Sequence, residues 1–469
     1  MIRFAARPVL VVAVVKSELD LGFANHYGWQ RDELYYAVAG KHLQGGYVEF
    51  PPVTALLSAL ARFLFGYSLV GFRVFPVLAG AASIVVAALV ARELGGGRRA
   101  QIIAAIAVGF SPIVLATNGL FQPVSFDSLA TLVVLWLALR LALGRGSWTW
   151  IGVAVGIGLE TKYTLSIPVI LLAATFAVWR RDALQLAGIA RATAIAAVLL
   201  VPNLVWEAQH DWVSVHFFVH PPGSATDESR PQFIVNVLLL VALVGIPVVV
   251  AGIVRLHRLR VARPLAWTVV GSVVAYFVLG GKSYYAAPEV LFALAAGAVP
   301  FEAWATRRRL WVAGAAYGAV FLVALPIAVP VLPLKTANAH GIIKDRSDYQ
   351  DEIGWPQLAD LVSLNARGVD VVLASNYGEA GALELFGHDL PPVASPDVTF
   401  RYWRPAVAGQ RALLVGFSPT DATFCSRYLI VARVQMPVDN QERGEPIARC
   451  DLRSSLPTLW PALVARFGE

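Results

Sequence analysis

The sequence GWQRDELYYAVAGKHLQGGYVEFPPV, residues 28–53, follows a weakly apolar N-terminal segment and precedes a chain that is mostly apolar. It holds two adjacent acids, Asp32 and Glu33, and a third, Glu49, just before the pair Pro51-Pro52. Carboxylates at the edge of a bilayer are costly to remove from water, so acids in such places are candidates for function. We therefore expect the opening loop, residues 25–66, to carry functional side chains.

The composition places the chain among membrane proteins. Of its 469 residues 57% are hydrophobic and 15% are charged, whereas a soluble domain carries roughly 25% charged residues. A net charge of +7 could suggest a nucleic-acid partner in a soluble protein. Here the residues after 334 contain 13 Lys and Arg against 16 Asp and Glu, so the positive charge belongs to the apolar part. We expect a lipid bilayer as the surroundings and no nucleic acid.

The apolar part predicts about eleven transmembrane helices, since a span needs roughly 20 apolar residues. The first run is interrupted by charges that each cost about 2.5–3.5 kcal/mol at a helix centre. Two of them, Lys16 and Asp20, are four residues apart and can pair on one helical face. The fifth and sixth runs are short and predict a helical hairpin. The runs are 5–24, 69–91, 99–120, 125–143, 148–161, 164–179, 184–205, 232–254, 265–281, 286–304 and 310–333.

Arginine clusters between the runs predict the orientation, because basic loops stay in the cytoplasm. All the clusters fall on one side if the eleven spans are counted, which puts the N-terminus inside and the C-terminal part outside. We read the N-terminal run as a retained signal-anchor of a multi-pass membrane protein. The clusters are Arg3/Arg7, Arg92/Arg98/Arg99, Arg140/Arg145, Arg180/Arg181, Arg255/Arg258/Arg260/Arg263 and Arg307/Arg308/Arg309.

Residues 335–469 have a mixed composition that predicts a small α/β domain outside the membrane. Strand candidates at 369–374, 411–417 and 428–434 alternate with helical segments. The fold class is thus an all-α polytopic membrane protein, residues 1–334, with this C-terminal domain. Its two cysteines, Cys425 and Cys450, predict either a disulfide, if the domain lies outside, or two unpaired core residues. The sequence contains no Cys-x-x-Cys pair, so we do not expect a structural zinc site.

Within the opening loop, residues 31–43 predict an amphipathic helix on the membrane surface. Tyr35, Val38, Ala39 and Leu43 recur at spacings of three and four. Asp32 and Glu33 lie in the first turn, where the helix dipole favours anions. They could therefore be ordinary N-terminal acids, and only further evidence distinguishes that reading from a catalytic one.

Seven short motifs, read in order, are more specific. With them the chain resembles the GT-C glycosyltransferases of the protein O-mannosyltransferase and aminoarabinose transferase type, in a bacterial branch. Two C-terminal stretches, EIGWPQLADLV and SNYGEAGALELFG, are similar to that branch as well. The seven motifs are YGWQRDELYY, HLQGGYVEFPP, ARELGGGRRAQ, QPVSFDSLA, ETKYT, PNLVWEAQH and GGKSYYAAPE.

The resemblance implies a sugar transferase that uses a polyprenyl-phosphate-linked sugar, mannose or a related one, on the outer face of the membrane. Asp32 matches the family's base, which deprotonates the acceptor hydroxyl, and Glu33 would assist or orient it. Attack from the face opposite the phosphate would invert the anomeric centre. The acceptor is a hydroxyl of a protein, lipid or glycan, and no cofactor or metal is expected.

The leaving polyprenyl phosphate is already anionic and needs cations more than a general acid. Lys282, with Tyr284 and Tyr285 beside it, is the leading candidate for binding the donor phosphate, and Lys162 is the next. A lysine at a helix end can also simply extend to the interface. Two lysines on a side poor in basic residues favour the phosphate reading.

Sugar or acceptor contacts are predicted for Glu49, Asp127, Tyr36 and His210. Glu49 matches a family acid, but Phe50 follows it where the aminoarabinose branch has a phosphate-binding lysine, so the sugar is not specified. Asp127 could bind sugar hydroxyls, pair with Lys162 or orient its loop. An isolated interfacial histidine such as His210 is usually a polar anchor.

Two other classes of function fit parts of the pattern. One is a transporter or flippase of lipid-linked sugars, and the other is a non-catalytic lipid-binding subunit. Transporters place polar groups near the bilayer midplane, whereas the ionisable residues here gather at one predicted face. This distribution favours the transferase.

Overall fold

The protein, described here from a computed structural model over residues 2–219 and 228–468, is mainly helical. The apolar part contains α1 (Ala6–Gly22), α2 (Arg31–Ala39), α3 (Val53–Phe65), α4 (Leu69–Glu93), α5 (Arg98–Gly109), α6 (Pro112–Asn118), α7 (Pro123–Ala142), α8 (Trp148–Leu159), α9 (Ser166–Trp179), α10 (Leu186–Gln209), α11 (Val213–Val219), α12 (Arg230–Leu239), α13 (Ile246–Arg258), α14 (Arg263–Leu279), α15 (Ala287–Trp304) and α16 (Arg307–Ala328).

The C-terminal part, residues 335–468, mixes helices and strands. Its helices are α17 (Leu334–Ala339), α18 (Ile342–Asp345), α19 (Ser347–Gln350), α20 (Trp355–Asn365), α21 (Tyr377–Phe386) and α22 (Leu456–Phe467). Its strands are β1 (Val371–Ala374), β2 (Val393–Ala394), β3 (Arg411–Val415), β4 (Cys425–Arg433) and β5 (Pro446–Leu452).

Five helices of the described residues are long and apolar enough to cross a membrane, and two bent helix pairs raise the number to seven. Four further apolar helices are shorter than a full span. The prediction of a polytopic helical protein is confirmed, but the count of eleven spans is not. The difference arises because several apolar runs are broken by turns, as at Ser111 between α5 and α6.

Helix α1 carries its charges in a buried pair. Lys16 is 0% exposed and Asp20 is 3% exposed, and the Lys16 ammonium donates to the Asp20 carboxylate. The predicted pairing on one helical face is confirmed. Next to this pair, Val9 and Ala13 pack with Ile84 of α4 and Ala105 of α5, so the charges lie inside the helix bundle.

Helix α2 begins at Arg31 as predicted, but it ends at Ala39 and is not a surface helix. All its residues from Glu33 to Ala39 are buried. The surface position was wrong because α21 of the C-terminal part packs on α2. Two glycines allow this approach: a Cβ on Gly378 would lie 2.6 Å from Arg31 Cγ, and one on Gly381 would lie 2.9 Å from Leu34 Cβ.

The five strands form one sheet in the order β2-β1-β3-β5-β4. The pairs β1/β2 and β1/β3 are parallel, and β5 is antiparallel to both β3 and β4. The three predicted strands correspond to β1, β3 and β4, whereas β2 and β5 were not predicted. Residues from α22 pack on one face of the sheet, and residues from α20, α21 and α2 pack on the other.

The C-terminal part contains a disulfide between Cys425 and Cys450, with the two Cα atoms 5.5 Å apart. It links β4 to β5, which are neighbours in the sheet. The sequence left open a disulfide or two unpaired cysteines, and the structure contains the disulfide.

Candidate active site

The start of α2 sets the direction of the Asp32 side chain. Gln30 caps the helix, because its side-chain oxygen accepts from the Asp32 N–H at 2.7 Å, and the Gln30 N–H donates to Glu33 Oε2 at 2.9 Å. This reciprocal capping box satisfies two N–H groups at the start of the helix, those of Asp32 and Gln30. The Asp32 carboxylate is not needed for capping and is free for other contacts.

Two side chains hold the Asp32 carboxylate, one at each oxygen. Tyr377 of α21 donates from its hydroxyl to Oδ1 at 2.8 Å, and Gln122 donates from Nε2 to Oδ2 at 3.3 Å. The side chain remains partly exposed. Loss of water raises the pKa of Asp32, while the Tyr377 hydrogen bond and the charges of Arg31 and Lys282 act in the opposite direction. A carboxylate with a raised pKa is a stronger base than an exposed aspartate.

Glu33 points to the opposite side and is 0% exposed. Arg73 of α4 donates to it twice, at 2.9 Å from Nε and 2.6 Å from Nη2, and the Phe121 N–H adds a bond of 2.6 Å. Arg73 also donates to the Glu352 carboxylate at 3.3 Å. Both Glu33 oxygens are occupied, so its contacts suit a residue that anchors α2 and leave none free for an acceptor proton.

The predicted phosphate-binding residues converge. The Lys162 ammonium lies 4.9 Å from the centroid of the Tyr284 ring and 4.4 Å from that of Tyr285. A lysine over two aromatic faces is held by cation–π attraction. Lys282 lies close enough to Asp32 for its charge to stabilise that carboxylate. Tyr284 also interacts electrostatically with Asp32, so the lysine and tyrosine cluster (Lys162, Lys282, Tyr284 and Tyr285) lies within electrostatic reach of the Asp32 side chain.

Glu49 joins the opening loop to the C-terminal part. Its Oε2 accepts from the Tyr35 hydroxyl at 2.8 Å and from Thr399 Oγ1 at 3.2 Å. Thr399 Oγ1 in turn accepts from the Val48 N–H at 2.9 Å. Loss of water raises the pKa of Glu49 to about 8, so the group is mostly neutral at pH 7. These contacts favour a connecting role over a charged contact to sugar.

Asp127 and Tyr36 are both buried near the cluster. Asp127 Oδ2 accepts from Thr164 Oγ1 at 3.2 Å, and its Oδ1 has no hydrogen-bond partner among the described residues. The Tyr36 ring packs edge-on against Phe50, with centroids 5.0 Å apart. A buried oxygen without a partner is costly, so Asp127 could accept a bond from a bound hydroxyl.

His210 follows the last residue of α10 and makes local contacts. Its Nδ1 is 2.7 Å from the Trp206 carbonyl oxygen, and its ring stacks on the Trp206 ring with centroids 4.1 Å apart. The Tyr402 ring lies edge-on at 4.9 Å. None of these partners surrounds Asp32, so the contacts fit the polar anchor that an isolated interfacial histidine usually forms.

Two partners of Asp32 were missed by reasoning from the sequence, Tyr377 and Gln122. Tyr377 lies in the stretch SNYGEAGALELFG, which is similar to the same bacterial branch but in which no site residue was predicted. The available signal was the spacing of Gly378 and Gly381, since small residues three apart on a helix allow another helix to approach closely. Nothing in the sequence indicates that α2 is that partner.

A metal site is not evident in the described ranges. In residues 2–219 and 228–468 no three His, Cys, Asp or Glu side chains converge as they would around an ion.

Comparison with known proteins fits this arrangement. The family model "Dolichyl-phosphate-mannose-protein mannosyltransferase" matches residues 49–206. The fold is similar to that of ArnT from Cupriavidus metallidurans bound to undecaprenyl phosphate, with a TM-score of 0.64 and 15% identity over 95% of this chain and 98% of that one. The chain therefore shares the fold of ArnT.

The fold is also similar to that of the archaeal oligosaccharyltransferase AglB from Archaeoglobus fulgidus, in complex with an inhibitory peptide and a dolichol-phosphate. The TM-score is 0.52 and the identity 13%, over 82% of this chain and 63% of that one. No curated protein matches the chain in sequence. The family model and the two similar folds agree with the resemblance inferred from the seven motifs.

Proposed function

We propose that the protein is an inverting glycosyltransferase that moves a sugar from a polyprenyl-phosphate donor to a hydroxyl acceptor, with Asp32 as the base. The observation that carries this proposal is the proximity of Asp32 to the lysine and tyrosine cluster. Bound undecaprenyl phosphate in ArnT and dolichol-phosphate in AglB support a donor of that class. The name of the matching family model suggests mannose.

On the acceptor side, Asp32 accepts the proton of the acceptor hydroxyl as its oxygen bonds to the anomeric carbon. The bond from that carbon to the phosphate oxygen breaks, and its electron pair stays on the phosphate. Attack opposite the leaving phosphate inverts the configuration. A positioned general base contributes about 10²–10⁴-fold to such a step. Tyr377 and Gln122 hold the carboxylate during the transfer.

On the donor side, the cations stabilise the charge that develops on the departing phosphate. Such fixed charges act without reorganisation during the reaction. Lys282 provides one ammonium, and Lys162 provides a second that the rings of Tyr284 and Tyr285 hold in place. Asp127 Oδ1 is available to a sugar hydroxyl. Glu33 supports the base by anchoring α2 through Arg73.

The same proposal covers the location. The Cys425–Cys450 disulfide supports an oxidising compartment for residues 335–469, because such bridges are rare in the cytoplasm. With the arginine clusters, this favours a C-terminal domain outside the inner membrane, an N-terminus inside, and transfer on the outer face by the transmembrane part, residues 1–334.

The deciding experiment is mass spectrometry of the products formed by the purified protein from labelled polyprenyl-phosphate sugars and candidate acceptors. We expect a sugar-modified acceptor and free polyprenyl phosphate, and a loss of about 10²–10⁴-fold in turnover for Asp32→Asn. Near-normal turnover in that variant would reject Asp32 as the base. Movement of intact donor across the bilayer without cleavage would instead indicate a transporter.

A further inference from the structure

Tyr377 is the first residue of α21 in the C-terminal part, and its hydroxyl is 2.8 Å from Asp32 Oδ1. The two residues are 345 positions apart in the chain. Close packing of α21 on α2 brings them together, since Gly378 and Gly381 have no side chain where Arg31 and Leu34 lie. The active-site contact therefore depends on how the C-terminal part docks.

Tyr377 is held through both its main chain and its ring. Its main-chain N–H donates to Asp397 Oδ2 at 2.9 Å, and the Arg31 guanidinium lies 4.8 Å from its ring centroid. The Tyr35 ring packs against it at 5.2 Å. A side chain fixed in this way loses little further entropy when it binds the carboxylate.

The residue before it, Asn376, caps α21. The Asn376 Oδ1 accepts from the Glu379 N–H at 2.9 Å, and Glu379 Oε2 accepts from the N–H and Oγ of Ser375 at 2.8 and 2.9 Å. Capping of this kind fixes the first turn of a helix. The turn that presents the Tyr377 hydroxyl is thus rigid.

Asp32 lies among groups of both charge signs. Arg31 on its own helix and Lys282 from the segment before α15 stabilise the carboxylate, while Asp348 of α19 opposes it. Asp351, which follows α19, also interacts with Asp32. Tyr36 of α2 and Tyr284 also interact electrostatically with the Asp32 carboxylate. Among these charges the Tyr377 hydroxyl is a neutral hydrogen-bond donor with a fixed direction. It orients the Asp32 carboxylate and favours its ionised form.

We infer that the C-terminal part completes the active site, with Tyr377 as a positioning residue that aims the Asp32 carboxylate at the acceptor. This inference rests on the proposed role of Asp32 as the base. Without the hydroxyl, the carboxylate loses the shorter of its two side-chain hydrogen bonds. It then rotates more freely and takes up a proton at higher pH.

The test compares Tyr377→Phe with a matched control, Tyr428→Phe. Tyr428 also lies in the C-terminal part, and its hydroxyl donates to the Phe417 carbonyl oxygen at 2.9 Å, away from Asp32. Rates of sugar transfer are measured against pH for the full-length protein. For Tyr377→Phe we expect kcat/KM for the acceptor to fall about tenfold at neutral pH, the acidic limb to move to higher pH, and the KM for the donor to stay unchanged. The control variant keeps its acidic limb.

A second readout does not need turnover. A water-soluble carbodiimide modifies protonated carboxyl groups, so mass spectrometry of the peptide containing Asp32 follows its protonation against pH. We expect the midpoint of modification to move to higher pH in Tyr377→Phe and to stay in place in Tyr428→Phe. An unmoved midpoint together with an unmoved acidic limb would overturn the inference and leave Tyr377 a packing residue.

The two readouts separate this inference from the proposed function. A protein that transfers no sugar but shows the shifted midpoint would refute the transferase and retain the contact. A protein that needs Asp32 for transfer but shows no shift of the midpoint would support the transferase and refute the role of the Tyr377 contact. If Tyr377→Phe does not fold, Gly381→Ala serves instead, because its methyl group would press against Leu34 and move the hydroxyl away from Asp32.

Discussion

Asp32 and Glu33 are neighbours in sequence, yet they face two different regions of the molecule. Glu33 faces the helix bundle, where Arg73 and a main-chain N–H occupy its oxygens. Asp32 faces the C-terminal part and the lysine and tyrosine cluster, where it is partly exposed. Successive residues on a helix point about 100° apart. The direction in which the side chain points, more than its chemical type, therefore distinguishes the anchoring acid from the candidate base.

The largest effect that sharpens this contrast is expected from Arg73→Met. It leaves the buried carboxylates of Glu33 and Glu352 without their cation, and breaking such a pair costs about 3–5 kcal/mol in the free energy of unfolding. Thermal unfolding in detergent measures the loss. The matched variant Asp32→Asn should lose turnover and keep its unfolding temperature. Equal destabilisation by both variants would remove the distinction between anchor and base.

A smaller effect is expected from the lysines on the Asp32 side. Lys282→Met and Lys162→Met each remove a cation from the proposed phosphate site, so the KM for the donor should rise by roughly tenfold or more. Lys41→Met is the control, since Lys41 pairs with Glu384 at 3.0 Å on the surface. Steady-state kinetics at varied donor concentration measures this KM for each variant. A donor KM that responds to neither cluster lysine would contradict the phosphate assignment.

The pH dependence of stability tests the connection at Glu49. Its pKa is raised to about 8 in the folded protein, so between the ordinary carboxyl pKa and about 8 the folded state binds a proton that the unfolded state has released. Stability contributed by this group is therefore full at low pH and declines as the pH rises through that window. In Glu49→Gln the decline should be weaker. The measurement is the unfolding temperature from pH 5 to pH 8.5. If Glu49 had an ordinary carboxyl pKa, the unchanged protein and Glu49→Gln would show the same slope against pH.

The smallest effect is expected at His210. His210→Ala removes a ring stacked on Trp206, which costs about 0.5–1.5 kcal/mol, and it should leave the KM for donor and acceptor unchanged. A marked rise in either KM would place His210 in the substrate site after all.

Much of the architecture could be predicted from the sequence because it depends on local pattern. The apolar runs predicted a helical membrane protein, and the charged pair in α1 followed from a spacing of four. Strands β1, β3 and β4 were recognisable as apolar, β-branched runs. Strand β2 was missed because it contains only Val393 and Ala394. Strand β5 was missed although Arg449 and Asp451 alternate with buried residues, which is the pattern of a strand with one exposed face.

The candidate site was predictable in part. The motifs singled out Asp32, Lys162, Lys282, Tyr284 and Tyr285. The structure places Lys162 over both tyrosine rings and Lys282 within electrostatic reach of Asp32. Four residues on separate segments could not be paired by the same reasoning: Tyr377 with Asp32, and Thr399 with Glu49. Each contact spans more than 340 positions, and periodicity within a helix or strand carries no information over such distances.

Local patterns in the sequence were enough to predict a helical membrane protein, the start of α2 and the residue types of the proposed site. Only the tertiary structure decided which of the two adjacent acids is free, that Glu49 is engaged by the C-terminal part, and that Tyr377 reaches Asp32. The physical reason is that hydrophobic pattern and capping depend on neighbours in the chain. The surroundings of a carboxylate depend instead on which distant segments exclude water from it and donate hydrogen bonds to it.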